Sequence, residues 1–179
     1  MQTYNMEKLS QSKIGKRSKS KGNRYERRVV KLLHEFTDIN FRRVPASGGF
    51  NKTGGMVVNE AAFSGDVICD SDKFLYSIEA KNRKSISLPA ILKNPTNTEF
   101  IKCWEQCTAD ACQINLKPMM FFKPNNSADW ICLKEHDSIY SDFNFQHMVI
   151  KLQPEFDNIV LVDWSIFKAN INSDKLFNE

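Results

Sequence analysis

The feature that most constrains the fold is a pair of short β-forming segments joined by a tight polar turn. Asp66–Asp70 and Phe74–Asn82 are rich in residues that favour strands, and Ser71–Lys73 separates them, so the pattern predicts an antiparallel hairpin. Side chains alternate between the two faces of a strand. One face of the second strand therefore carries Glu79 and Lys81. The other face is predicted to lie in the core and carries Phe74, Tyr76, Ile78 and Ala80.

This hairpin is predicted to bring two carboxylates together. If its loop is residues 71–74, Asp66 lies directly opposite Glu79, with Cβ atoms about 5 Å apart. The two groups repel each other unless a cation lies between them, and carboxylate oxygens suit Mg²⁺ or Mn²⁺. Lys81 shares the face of Glu79 and can orient a water or stabilise charge on a phosphate. These three residues predict a metal-dependent phosphodiesterase; the alternative is a solvent-facing Glu79–Lys81 pair on an amphipathic strand.

A helix is predicted before the hairpin. Asn23 is a good N-cap, so the helix is expected to begin near that residue. Apolar residues then recur at helical spacing and define one buried face, formed by Tyr25, Val29, Leu32, Leu33 and Phe36. Glu26 lies at the edge of this face and could supply a further carboxylate to the metal or to its waters.

The rest of the chain completes an α/β pattern. Pro45–Gly55 contains four glycines and one proline and is predicted to be a loop. The other predicted elements are a strand at Ile39–Val44, helices at Ser87–Lys93 and Thr98–Ile114, strands at Met119–Phe122, Trp130–Leu133, Met148–Leu152 and Ile159–Val162, and a helix at Ser165–Ile171. Their order predicts one α/β domain with a central mixed sheet flanked by helices.

The positive charge is concentrated at the N-terminus. The net charge is +4, but residues 1–31 hold ten Lys/Arg and two Glu, a net +8. A basic segment on a mildly acidic body favours a phosphate-rich partner, and a solubilising tail is the alternative. Residues 1–20 are predicted to form a flexible basic arm, because they are polar and show no hydrophobic period. Phosphate contacts are predicted near the proposed site at Arg27, Arg28, Arg42, Lys52 and Arg83.

Composition argues against a membrane or secreted protein. No uninterrupted run of large apolar residues approaches the roughly 20 that a spanning helix needs, and the N-terminus has no apolar signal region. We therefore expect no membrane partner and a place in the cytoplasm of a bacterial or phage-infected cell. Five cysteines without a CxxC pair fit a reducing compartment. Cys103, Cys107 and Cys112 lack a fourth ligand at ordinary metal spacing and are predicted to be buried on a helix face.

Four short fragments occur in an order that resembles a known nuclease superfamily. They are KGNRYE at 21–26, RVPASG at 43–48, GD at 65–66 and EAK at 79–81. The pattern resembles the PD-(D/E)XK nucleases, most closely the archaeal-type Holliday junction resolvases, over roughly residues 21–122. The resemblance implies a restriction-endonuclease-like α-β-β-β-α-β core. It also implies one nuclease domain, 21–179, in which 123–179 is a C-terminal extension.

The resemblance implies roles for the residues at the matching positions. Asp66 and Glu79 would hold the metal, with the Ala80 carbonyl as a third protein ligand and Glu26 as the helix carboxylate. Lys81 would be the catalytic lysine.

Further implied roles concern the nucleic acid. Ser47 would lie near the scissile phosphate, and Arg43 would contact DNA. Gln106 resembles an extra glutamine that some relatives use, and an exposed helix glutamine is the alternative. Together with the basic residues near the site, the predicted DNA-binding set is Lys21, Arg24, Arg27, Arg28, Arg42, Arg43, Lys52 and Arg83.

These features predict a DNA endonuclease that uses Mg²⁺, with Mn²⁺ as a substitute. The most specific version acts like a Holliday junction resolvase, and two symmetric cuts at a four-way junction predict a homodimer. The chain departs from the resolvase pattern because Asp66 follows Gly and the segment before it is long. The alternatives are therefore a nuclease that cuts duplex, flap or single-stranded DNA in replication or recombination, and a non-catalytic DNA-binding protein.

Overall fold

A seven-stranded mixed sheet organises the chain. The computed structural model describes residues 2–44, 65–84, 86–94, 98–124, 127–152 and 157–178. Its elements in chain order are α1 (Gln2–Thr37), β1 (Phe41–Arg43), β2 (Val67–Cys69), β3 (Tyr76–Lys81), α2 (Leu88–Lys93), α3 (Glu99–Gln113), β4 (Lys117–Phe122), β5 (Trp130–Lys134), β6 (Met148–Ile150), β7 (Ile159–Asp163) and α4 (Trp164–Asn170). Two 3₁₀ helices, which the sequence analysis did not predict, lie at Ser138–Asp142 and Ser173–Leu176.

The strand order is β1-β2-β3-β4-β5-β7-β6. Among the strands of the described residues, β3 and β4 alone pair in parallel, and α2 and α3 form the crossover between them. The order α1-β1-β2-β3-α3-β4 confirms the predicted α-β-β-β-α-β core, with the short helix α2 inserted. The other neighbouring strands pair in antiparallel orientation, as a mixed sheet requires.

Two apolar clusters cover the two faces of the sheet. One joins α1 and α4 to the sheet and contains the predicted core face of β3. The other joins α2 and α3 to the opposite face. Because both faces are covered, β3 is buried along its whole length except at Lys81. Polar residues that point from β3 toward α3 are therefore enclosed in the protein rather than exposed to solvent.

The start of α1 was predicted wrongly. The helix begins at Gln2 rather than near Asn23, so residues 2–20 are helical and not an irregular arm. A helix that is polar on all sides has no hydrophobic period to reveal it, and no proline interrupts this segment. The division of the chain into an arm and a domain stays a prediction.

The apolar face of α1 was predicted correctly. Tyr25, Val29 and Leu33 are buried against the sheet, and Leu32 and Phe36 are partly buried there. Apolar burial of this kind stabilises a helix much more than its intrinsic propensity does. The second half of α1 therefore belongs to the packed core.

A partly buried ion pair also attaches α1 to the sheet. Arg28 donates to the carboxylate of Asp129 from Nε at 2.9 Å and from Nη2 at 2.6 Å. Lys123 Nζ lies 3.6 Å from the same carboxylate. Asp129 is only 6% exposed and directly precedes β5, so the contact joins the helix to the middle of the sheet.

One edge of the sheet collects the residues of interest, and we call it the site edge. The strands β1, β3 and β4 end there, and β2 and β5 begin there. The pairs Arg43↔Val67, Val67↔Ile78 and Lys81↔Phe122 define its middle.

Several other predictions can be compared with the structure. The remaining predicted strands and helices are present with ends shifted by a few residues. Cys103 and Cys107 are buried as predicted, but Cys112 is exposed because it lies on the solvent side of α3. The loop Pro45–Gly55, with Ser47 and Lys52, lies outside the described residues. Within the part of the chain that the structure describes, no helix is long and apolar enough to cross a membrane.

The anchoring role of Asp129 can be tested by a charge-removing substitution. Asp129→Asn should lower the free energy of unfolding by about 1–3 kcal/mol, because Arg28 and Lys123 would then lie beside an uncharged amide. Asp157→Asn is the matched control, since Asp157 is 44% exposed and pairs with Lys134 at 2.9 Å. Asp157→Asn should lower the free energy of unfolding by less than about 1 kcal/mol. Urea unfolding of both variants measures the difference, and equal losses would contradict the assignment.

Candidate active site

The site is built on the β2–β3 hairpin. Val67 pairs with Ile78, so Asp66 faces Glu79 across the strands, which confirms the register predicted from the sequence. Asp66 is 8% exposed and Glu79 is 5% exposed. The Asp66 amide donates to the Ile78 carbonyl at 2.8 Å, and the Ala80 amide donates to Asp66 Oδ2 at 3.0 Å. The backbone of β3 thus fixes the position of the Asp66 carboxylate.

Gly65 allows the chain to approach β3 closely at this point. Its φ is +90°, a conformation that favours glycine. A Cβ at Gly65 would lie 2.7 Å from the Ile78 carbonyl oxygen and 3.1 Å from Ser77 Oγ. The glycine before Asp66, a departure from the resolvase pattern, therefore has a local structural cause.

Lys81 completes the cluster. Its ammonium forms an ion pair with Glu79, and its side chain is only 11% exposed. Gln106 on α3 places Oε1 3.5 Å from Lys81 Nζ, at the outer limit of a hydrogen bond. The structure thus brings Gln106 to the site, where the sequence left its role open.

Burial and charge together set the protonation of the site. Burial and the nearby Asp66 carboxylate raise the pKa of Glu79 from its ordinary value near 4.5 to about 7, despite the opposing effect of Lys81. Burial opposes the charged form of Lys81, but Glu79 and Asp66 outweigh it and raise the pKa of Lys81. The lysine is therefore protonated at neutral pH, and the site holds more negative charge than it can easily stabilise.

The helix α3 forms the wall that faces this cluster. Cys107 lies near enough to Glu79 and Lys81 to interact with both electrostatically, and Cys103 interacts with Lys81. Burial raises the pKa of both thiols, so they stay protonated at neutral pH. They act as small packing residues, not as thiolate ligands.

Glu26 and Arg43, both predicted to be functional, contact each other. Arg43 Nη1 donates to Glu26 Oε2 at 2.9 Å, and the side chains are 24% and 12% exposed. Arg43 is the last residue of β1, so the pair lies at the site edge. The same contact holds α1 against β1.

The other predicted DNA-binding residues differ in their surroundings. Lys21 is half-buried, whereas Arg24 and Arg27 are exposed on α1. Arg42 pairs with Asp70 at the far end of β2, away from Asp66. Arg28 binds Asp129 and Arg83 forms an ion pair with Glu99, the first residue of α3.

Sequence reasoning missed Asp129 and Lys123. Both lie next to the site edge, because the Lys123 amide donates to the Lys81 carbonyl at 3.0 Å and Asp129 precedes β5. Neither belongs to a recognisable motif. A contact between residues 101 positions apart, such as Arg28–Asp129, leaves no local signal in the sequence.

The donor set suits a hard divalent cation. Two opposed buried carboxylates supply oxygen ligands, and the Ala80 carbonyl lies on the same strand. Burial and the Asp66 carboxylate raise the pKa of Glu79, and a cation there would favour its charged form. Among the residues that the structure describes, no group of three or more His, Cys, Asp or Glu forms a metal cluster. The ion would therefore need backbone or water ligands as well, as Mg²⁺ usually does.

A carboxylate pair and a lysine on one hairpin of a mixed α/β sheet define the PD-(D/E)XK class of nucleases, as the sequence fragments indicated. The chain belongs to the family described as phage putative PDDEXK endonuclease, which it matches over residues 17–178. The protein is therefore a nuclease, a hydrolase that acts on DNA. Nucleases of this superfamily generally use divalent metal ions.

Two further proteins are similar to this chain. Protein D14 of Escherichia phage T5 is 29% identical over 137 residues, which cover 74% of this chain and 81% of D14. The solved structure of Hjc, a Holliday junction resolvase from the archaeal hyperthermophile Archaeoglobus fulgidus, is 15% identical with a TM-score of 0.38. That match covers 87% of this chain and 94% of the Hjc chain.

The need for glycine at position 65 can be tested by comparing Gly65→Ala with the same substitution at a second glycine. Gly65→Ala should destabilise the protein by about 1–3 kcal/mol, because the φ is strained for alanine and the methyl meets the β3 backbone. It should also reduce cleavage, since Asp66 is the next residue. Gly15→Ala on α1 meets no atom within 4 Å and should be neutral or slightly stabilising. Thermal unfolding checks both, and a tolerated Gly65→Ala would show that the close approach is unimportant.

The raised pKa of Glu79 predicts a pH-dependent cost of folding. In metal-free protein its charge is unfavourable, and this cost grows as the pH rises from 4.5 through 7. Glu79→Gln should therefore exceed the wild type in stability by less than about 1 kcal/mol at pH 5 and by up to about 3 kcal/mol at pH 8.

Urea unfolding in EDTA between pH 5 and pH 8 measures this difference. Glu105→Gln, on the exposed side of α3, is the control and should change stability little at either pH. A Glu79→Gln effect that does not vary with pH would contradict the raised pKa.

Proposed function

We propose that this chain is a metal-dependent endodeoxyribonuclease that hydrolyses phosphodiester bonds at Asp66, Glu79 and Lys81. The observation that carries the proposal is the buried, directly opposed pair Asp66 and Glu79 with Lys81 bound beside it. Such a pair is costly for folding alone and is useful for holding a cation. Mg²⁺ is the proposed ion, with Mn²⁺ as a substitute, because both prefer oxygen ligands.

The protein side chains have separate tasks in this proposal. Asp66 and Glu79 would hold the ion with the Ala80 carbonyl. An ion at this position would polarise the phosphoryl group and lower the pKa of a bound water. Lys81 is protonated and enclosed, so it can orient the attacking water and stabilise negative charge on the phosphate. Attack at phosphorus in line with the 3′ oxygen leaves a 5′ phosphate.

Glu26 and Gln106 are proposed to assist these groups. The Glu26–Arg43 pair lies at the site edge, where Glu26 can bind waters of the ion and Arg43 can meet a DNA phosphate. Gln106 lies against Lys81 and can limit the movement of its ammonium group. Ser47 is proposed to lie near the scissile phosphate on the strength of the sequence resemblance alone.

The proposed substrate is branched DNA, with a four-way junction as its most specific form. The support is the pair of fragments at 21–26 and 43–48, which resemble those of archaeal-type junction resolvases. Two coordinated cuts in such a junction require two active sites, so the proposal includes a homodimer.

Substitutions at the site test the chemistry. Asp66→Asn, Glu79→Gln and Lys81→Met should each reduce cleavage by at least about 10³-fold while DNA binding is retained, because each removes a group that acts on the reacting phosphate. Asp70→Asn is the matched control, since Asp70 lies at the other end of β2 and pairs with Arg42. It should cut at the wild-type rate. Wild-type activity in any of the three site variants would remove that residue from the active site.

The substrate is tested with a labelled four-way junction, linear duplex, flap and single strand in Mg²⁺, Mn²⁺ and EDTA. Paired symmetric nicks confined to the junction would support the resolvase proposal. Metal-dependent cutting of the other substrates would support the proposed active site and contradict the proposed specificity for junctions. Binding without cutting of any substrate would overturn the proposed activity and favour a DNA-binding protein.

A further inference from the structure

The first half of α1 extends beyond the sheet edge that carries the active site. The chain reverses between Asp38 and Asn40, so α1 runs antiparallel to β1. Arg43, the residue that ends β1 at the site edge, binds Glu26. Residues of α1 that precede Gly22 therefore continue past this edge.

A second contact fixes the direction of the helix. Arg28 binds Asp129, which precedes β5 at the same edge. Tyr25 and Val29 are buried between these two ion pairs. Since the helix is held at two points along the site edge, its direction beyond that edge is set by the packed domain.

We call residues 2–21 of α1 the basic projection. The sequence to residue 21 holds six Lys/Arg and one Glu, a net +5. Lys16 and Lys19 are exposed, as are the neighbouring Gly15, Ser18 and Ser20. Within the described part of the chain, no salt bridge involves Lys16 or Lys19.

The positive charge continues from the projection to the domain along one side of α1. At 3.6 residues per turn, Lys16, Arg24 and Arg27 fall within an arc of about 80° on the helix. That arc lies away from the buried face of Tyr25 and Val29. Arg24 and Arg27 are also exposed, so this row of cations faces solvent.

The length of the projection defines the ligand it fits. Twenty helical residues span about 30 Å, and about nine base pairs of duplex cover the same distance. Cations at this density with few acidic neighbours repel each other, and a line of phosphates removes that repulsion. A basic helix of this length therefore matches the phosphate backbone of a duplex arm.

We propose that the basic projection binds the duplex that flanks the scissile phosphate on one side, so that full activity needs a flank of about ten base pairs. This inference rests on the proposed function, because it names the part of the substrate that leaves the same active site. In this proposal the basic projection acts as a helix that sets a minimum substrate length, and not as a flexible arm.

Charge removal tests the binding surface. The double variant Lys16→Gln/Lys19→Gln should bind a 30-base-pair duplex about tenfold more weakly near 0.1 M salt and lower the log–log salt slope by about 2. Lys168→Gln is the matched control, since this lysine is exposed and belongs to a different helix, α4. Affinity is measured by fluorescence anisotropy in EDTA, so hydrolysis is not required.

A proline variant tests whether the helix itself matters. Ser18→Pro keeps every charge but breaks the helix, and it should weaken duplex binding as the double variant does. Ser18→Ala keeps the helix and should bind as the wild type. In cleavage assays, shortening one flank below about ten base pairs should slow the wild type several-fold and leave the double variant unchanged.

The outcomes separate this inference from the proposed function. An unchanged salt slope in the double variant, or wild-type binding by Ser18→Pro, would overturn the role of the projection even if cleavage is normal. A wild type that never cuts DNA, but shows the expected slope and proline effects, would overturn the proposed activity and support the projection as a duplex-binding element.

Discussion

The repulsion between Asp66 and Glu79 is the interaction on which the rest of the site depends. Two carboxylates face each other on adjacent strands and both are buried, so burial and the Asp66 carboxylate together disfavour the charged form of Glu79. Lys81 offsets only part of these two effects, since the pKa of Glu79 still rises to about 7. A hairpin that served only to fold would gain stability from apolar residues at these positions. The arrangement makes sense if a cation completes it.

The surrounding fold holds this unfavourable cluster in place. The Ala80 amide fixes Asp66, and Gly65 lets the chain pass close to β3. The helix α3 closes the opposite side, with Gln106 against Lys81. On the other face of the sheet, α1 is attached through Arg28 and Asp129, and its basic residues extend from the same edge. One sheet edge therefore organises both the proposed catalytic groups and the surface proposed to bind substrate.

Most of the hairpin could be predicted because its signals are local. Side-chain alternation sets the faces of β3, and the turn length sets the register that opposes Asp66 and Glu79. The start of α1 could not be found in this way, since a polar helix has no hydrophobic period. The Arg28–Asp129 pair could not be found either, because its partners meet only in the tertiary structure. Gly65 was visible as a departure from the expected motif, but its cause is the approach to Ile78, which requires coordinates.

The most direct test of the central claim is the binding of Mn²⁺ to the intact chain at pH 8, measured by electron paramagnetic resonance without DNA. The account predicts saturable binding in the wild type that is strongly weakened by Asp66→Asn and by Glu79→Gln, and retained by Asp70→Asn. Equal Mn²⁺ binding in all four proteins would contradict the claim that the opposed carboxylates form a cation site. Because the measurement does not depend on the substrate, it tests the site separately from its specificity.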